Sequence, residues 1–181
     1  MRHTNGWPKG FTLIEILVVV IILGIAGAIV IPQLSTRDDL RAAAAARVIM
    51  ADLIYAQNLS ITKQSNTYVS FSTTSQTYSV CDSTMSIVTH PVNGGAYTQT
   101  MNVSSGTNGL QRSSLYSVAF VDTAGTTSLI IGFDDLGTPL VYSGGATTTM
   151  ASGSVVVISG AYKLQINIEP YTGQISVVAV P

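Results

Sequence analysis

From Phe11 to Ile31 the chain carries one charge, Glu15, in a run otherwise built almost entirely of Val, Ile, Leu, Ala and Gly. As a helix this run rises about 31 Å, close to the hydrocarbon thickness of a bilayer, so it is expected to span a membrane. A carboxylate inside hydrocarbon costs roughly 2.5–3.5 kcal/mol on insertion scales. Glu15 therefore calls for a cationic partner. Arg2 and Lys9 precede the run with no acid among them, which puts the N-terminus on the cytoplasmic side. Two simpler readings compete. Ala26-Gly27-Ala28 offers a small-residue cleavage site for an ordinary secretory signal, at the expense of a charge within its apolar region. A plain unprocessed anchor is the other. The three readings differ in the mature N-terminus: Phe11, Ile29 or Met1.

The residues in front of the run decide how it is read. Gly10-Phe11-Thr12-Leu13-Ile14-Glu15, behind a basic leader and before an apolar helix, resembles the processing motif of the type IV pilin and type II secretion pseudopilin superfamily. The resemblance implies cleavage between Gly10 and Phe11 by a prepilin peptidase, followed by N-methylation of Phe11. It also implies that Glu15 serves subunit assembly by pairing with the terminal amine of a neighbouring subunit. Four residues of helix rise about 6 Å, so the new amine lies about one turn from Glu15. Pairing offsets the cost of burying either charge alone.

A charged fraction of 9% and a net charge of −1 exclude a strongly basic nucleic-acid surface and a solvated tail. After Lys63 the cations are Arg112 and Lys163, outnumbered by Asp82, Asp122, Asp134, Asp135 and Glu169. Phosphate neutralisation supplies most of the affinity for DNA, so no nucleic-acid partner is expected. Cys81 is alone and forms no internal disulfide. No metal or other cofactor is expected, because His3 and His90 are far apart in sequence and His3 leaves with the leader.

Pro32 ends the apolar run and is expected to kink or interrupt the helix. Ser35 with Asp38 fits an N-cap pattern for a second helical section. From Leu40 to about Lys63 the positions Leu40, Ala44, Val48, Ala51, Tyr55 and Leu59 keep the spacing of one helix face, with Arg41, Arg47, Asp52 and Gln57 off it. Beyond Lys63 the period changes to that of strands. Segments 67–71, 77–80, 86–89, 98–103, 117–121, 128–133, 140–142, 154–158, 163–169 and 174–180 are rich in Val, Ile, Thr and Tyr, with turn residues between. Pro170-Tyr171-Thr172-Gly173 reads as a hairpin turn. Residues 93–112 read as a long or mobile loop.

The expected fold is therefore α+β: a long N-terminal helix, half transmembrane and half amphipathic, packed on a C-terminal antiparallel β-sandwich-like domain. The divisions are 1–10 as leader, 11–31 as transmembrane helix, 32–63 as stem, and 64–181 as a periplasmic β-rich domain. A long helix followed only by strands is most similar to the minor pseudopilin H of type II secretion and its FimT- and FimU-like pilus relatives. The local stretches 51–57, 133–137 and 169–175 resemble elements of that family. The resemblance implies a structural subunit of an inner-membrane-anchored filament that supports protein export. Its partners would be the prepilin peptidase, other pseudopilins or pilins in a helical filament, the inner-membrane assembly platform and the membrane itself. The alternatives are a minor pilin of a type IV pilus and a membrane-anchored exported domain that binds cargo or glycans.

No catalytic residues are assigned, since nothing resembles a nucleophile elbow or another hydrolytic constellation. Asp134-Asp135 with Asp122 raises the question of calcium, but two acids before Leu-Gly set up a turn more simply. The eight tyrosines are spread about one per strand or loop, as sheet-face packing would place them.

Overall fold

The computed structural model describes residues 10–35, 37–102 and 109–180, with the side chains of 28–35 excepted. The expected leader before Gly10 and residues 103–108 of the expected loop lie outside the described residues. The chain forms two units, Met1–Arg37 and Asp38–Pro181.

The first unit holds α1 (Leu13–Ser35). The helix continues through Pro32 to Ser35, so the break expected at the proline falls after Ser35. The side chain of Ser35, expected to cap the next helix, is outside those described. Leu13, Ile14, Val20, Ile22, Leu23 and Ile25 are all exposed, on every side of the helix. A helix apolar all round is one made for burial in lipid or protein. Among the described residues no helix is long and apolar enough to cross a membrane. Side chains are described only as far as Gly27, a stretch shorter than the roughly 20 residues a span needs. The expected span of 11–31 runs past that point.

The second unit is built on α2 (Asp38–Lys63). Its buried face is Ala42, Ala45, Ala46, Ile49, Leu53 and Ala56. The face expected from the sequence is rotated from this by about two fifths of a turn: Leu40 is 60% exposed, and Ala44, Val48, Tyr55 and Leu59 are only half-buried. Alanine explains the difference. A row of methyl groups lets the sheet approach the helix backbone, so the smallest apolar side chains are the most deeply covered. The helix closes with Gln64 at φ 51° and the Ser65 amide donating to the Ser60 carbonyl at 3.2 Å, a left-handed C-terminal cap.

Ten strands follow among the described residues: β1 (Thr67–Ser72), β2 (Thr77–Cys81), β3 (Thr98–Thr100), β4 (Ser114–Asp122), β5 (Thr127–Ser128), β6 (Ile130–Phe133), β7 (Pro139–Ser143), β8 (Ala146–Ser159), β9 (Tyr162–Ile168) and β10 (Ile175–Val180). All pairings are antiparallel, in the order β10-β9-β8-β7-β6-β1-β2-β3, with β4 on β8 and β5 on β4. The array is one continuous antiparallel sheet, where a β-sandwich-like domain is the expectation. The long strand β8 is the reason. Residues 146–149 pair with β7, while the rest of β8 lies between β4 and β9. Phe71, Tyr78, Phe120, Phe133, Ile131 and Met150 pack inside the curve against α2.

Four expectations change in detail. Segment 86–89 makes only isolated bridges, Cys81 with Ile87 and Thr89 with Ala96. Leu129 divides 128–133 into β5 and β6. β8 already begins at Ala146, where it pairs with β7; its Thr-rich first half is exposed and carries no apolar alternation to mark it as a strand. The loop expected over 93–112 contains β3 and buries Tyr97, Met101 and Leu110.

Candidate functional site: the Gly10–Glu15 helix start

The first turn of α1 is set by Thr12. Its hydroxyl accepts the Glu15 amide at 3.3 Å, and its carbonyl accepts Glu15 at 3.1 Å and Ile16 at 3.2 Å. Thr12 is thus the N-cap and Glu15 the third helical residue, the T-x-x-E spacing of a capping box. A carboxylate in the first turn also complements the positive end of the helix dipole. The signal is present in the sequence as Thr12 and Glu15, within the same residues as the processing motif.

The cap fixes where the helix stops being a helix. Gly10 and Phe11 lie outside it, and both are exposed, Phe11 by 77%. A peptide bond outside regular structure is the kind a protease can bind in extended form. Gly10, Phe11, Thr12 and Glu15 line one open recess of about 410 Å³. The sequence-predicted residues are therefore together: the Gly10–Phe11 bond, Phe11 itself, and the Glu15 carboxylate one turn on. Among the described residues Glu15 has no cationic partner; the ion pair there is Arg41 with Asp38, at 3.0 Å.

Residues 8–31 match the family described as "Prokaryotic N-terminal methylation motif". This is a type IV pilin-like N-terminus. The type II secretion system core protein G of Pseudomonas aeruginosa is 64% identical to the chain over 31 residues. That match covers 17% of this chain and 22% of the relative, so the likeness is confined to the N-terminal segment. It supports the pilin and pseudopilin group as a whole and does not reach the finer resemblance to pseudopilin H. No solved structure matches the chain significantly.

Other candidates have structural roles in the head. Asp134 accepts the amides of Leu136 at 3.0 Å and Thr138 at 2.7 Å through one oxygen, with Gly137 at φ 83°. Asp122 does the same with Ala124 at 2.9 Å and Thr126 at 2.7 Å, with Gly125 at φ 86°. Asp82 repeats the pattern with Thr84 and Ser86. These aspartates hold turns, as expected for Asp134-Asp135, and among the described residues no cluster could hold a metal ion. The Thr126 amide, first among several donors, holds the Asp122 carboxyl below the usual range. The Thr84 hydroxyl does so for Asp82.

Asp52 is a residue that sequence reasoning misplaced. The spacing sets it off the apolar stripe of α2, yet it is 8% exposed and accepts the hydroxyls of Tyr78 at 2.6 Å and Tyr97 at 3.0 Å. Burial pushes its carboxyl above the usual range, against the opposing pull of the two hydroxyls and His90. Tyr97 also stacks on Tyr55 and His90, with ring centres at 5.2 and 4.3 Å. One carboxylate thus ties the excursion after β2 to α2. The tyrosines divide accordingly: Tyr68, Tyr78 and Tyr97 are buried, while Tyr116, Tyr162 and Tyr171 are exposed and do not serve the core.

Proposed function

We propose that this protein is a minor pseudopilin, a structural subunit of the type II secretion pseudopilus. In this reading a prepilin peptidase cuts the Gly10–Phe11 bond and Phe11 is N-methylated. The apolar helix holds the subunit in the inner membrane, N-terminus cytoplasmic and β-domain periplasmic. It then packs among other pseudopilins as the assembly platform adds the subunit to the filament. Glu15 pairs with the terminal amine of a neighbour. The chain's part is assembly, with no reaction of its own.

The supporting observation is the helix start. The bond to be cut lies just outside α1, the cap at Thr12 keeps it there, and Glu15 follows within one turn. The match of 8–31 to the methylation motif supports the same reading. The type II secretion setting is preferred to a type IV pilus because the matching relative is a type II secretion protein.

Mass spectrometry of the mature N-terminus tests the processing step. The expected species begins with methylated Phe11; an intact Met1 or a start at Ile29 overturns it. Glu15→Ala tests the pairing. It should insert into membranes at least as well as the native chain and yet be lost from filaments in crosslinking with other pseudopilins. Normal incorporation would sink the role given to Glu15.

A further inference from the structure

The charges of the head are sorted along α2. Where α2 begins, the Ser113 hydroxyl donates to the Arg41 carbonyl and the Ser159 hydroxyl to the Arg112 carbonyl, drawing both arginines to one end. Lys163 stands opposite Ile158 and Val180 at the same level of the sheet, its amine 5.1 Å from the Tyr116 ring centre. These three cations face two carboxylates, Asp38 and Asp39, of which Asp38 is engaged by Arg41. The positive end of the α2 dipole adds to them.

The other end is acidic. Gln64 at the close of α2 donates to the Asp135 carbonyl, and Asp82 lies within the field of Lys63. Asp122 ends β4 opposite Met150, about 27 Å along the strand from Ser114 at 3.3–3.4 Å per residue. Asp134 and Glu169 open turns at the same end. Five carboxylates there meet one lysine. A net charge of −1 conceals this separation.

The basic end has two further properties. Tyr116 and Tyr162 are 59% and 55% exposed beside Lys163, whereas the acidic end exposes a single tyrosine among the described residues, Tyr171. An open groove of about 290 Å³ lies between Tyr162 and α2, walled by Ala42, Ala43, Leu164, Ala179 and Val180, with Lys163 and Asp39 at its edge. Cations, exposed tyrosines and small apolar side chains together suit a membrane interface, where each Lys or Arg near anionic lipid is worth about 1 kcal/mol. This is also the end at which the chain arrives from its apolar run.

We propose that the end of the head formed by Arg41, Arg112, Lys163, Tyr116 and Tyr162 docks on the anionic phospholipid headgroups of the membrane that anchors the chain. The proposal rests on the anchored reading given above. Docking holds the unassembled head with its acidic end away from the bilayer, and entry into a filament releases it.

The test uses the full-length protein reconstituted in vesicles of phosphatidylcholine alone or of phosphatidylcholine with phosphatidylglycerol. A polarity-sensitive fluorophore is placed through Ala161→Cys at the basic end or Leu136→Cys at the acidic end; both positions are exposed, and Cys81 is buried. The Ala161 probe should shift to the blue only in phosphatidylglycerol vesicles. The shift should vanish at high salt, where screening shortens the reach of surface charge, and in Arg112→Glu/Lys163→Glu. The Leu136 probe should not respond. Flotation with both vesicle types and equal emission in the two, or an equal shift at Leu136, overturns the docking and leaves the anchor standing. Failure to float with either vesicle overturns the anchor and the docking with it.

Discussion

At the scale of single residues, the chain shows how differently two carboxylates can be handled. Glu15 is exposed at a helix start, available to a partner outside the chain. Asp52 is buried and satisfied by two tyrosine hydroxyls within it. Removing the Asp52 carboxylate leaves both hydroxyls without their acceptor, so Asp52→Ala should destabilise the head by about 2–4 kcal/mol in chemical denaturation. Asp52→Asn keeps an acceptor and should cost less. Its cost should also depend on pH. A carboxyl raised on folding contributes most at low pH, and that contribution is lost as pH rises from about 3.8 through the raised value. Asparagine does not titrate, so the stability gap between the native chain and Asp52→Asn should narrow as pH rises through that window. A gap that widens would contradict the burial argument. Nothing in the sequence separated Asp52 from an ordinary solvated helix charge. Its partners are 26 and 45 residues away, and local periodicity carries no information on them.

At the scale of elements, the turns were more legible than the strands they join. Asp134-Asp135-Leu136-Gly137 was readable because a short acid and a glycine meet a steric demand within five residues. The first half of β8 was not readable, since its Thr and Ser side chains face solvent and its strand character comes from pairing with β7. The turns also separate two effects of glycine. Gly137 at φ 83° would place a new Cβ 2.9 Å from Ile61, whereas Gly145 at φ 88° has open space. Gly145→Ala should cost about 1–2 kcal/mol for the left-handed backbone alone. Gly137→Ala should cost more, because the Ile61 and Gln57 side chains of α2 must also give way to the new methyl group. Equal costs in thermal unfolding would show that the turn does not bear on the helix.

At the scale of the whole molecule, the head's acid stability follows from its turn aspartates. The folded-state values of Asp82 and Asp122 lie below 3.8. Each therefore contributes stability that is complete above the ordinary carboxylate range and disappears as pH falls through the lowered value. Asp82→Asn/Asp122→Asn should be less stable than the native head near neutrality and approach it in acid. Parallel stability curves would overturn that account. The division into two units belongs to this scale too: among the described residues, one buries its apolar side chains in a core and the other displays them.

The sequence alone determined the parts governed by local rules. The apolar run, the Gly10–Phe11 motif with Glu15, the helix-to-strand change of period after Lys63, and the turn signals all act over a few residues. Backbone sterics and solvation settle them wherever the chain goes. Tertiary structure decided what depends on distant partners: which face of α2 is buried, that β8 joins the sheet into one array, that Asp52 is interior, and that a nearly neutral chain has a basic and an acidic end. Packing assigns those by contact between residues far apart in the chain, and such contacts leave no periodicity behind.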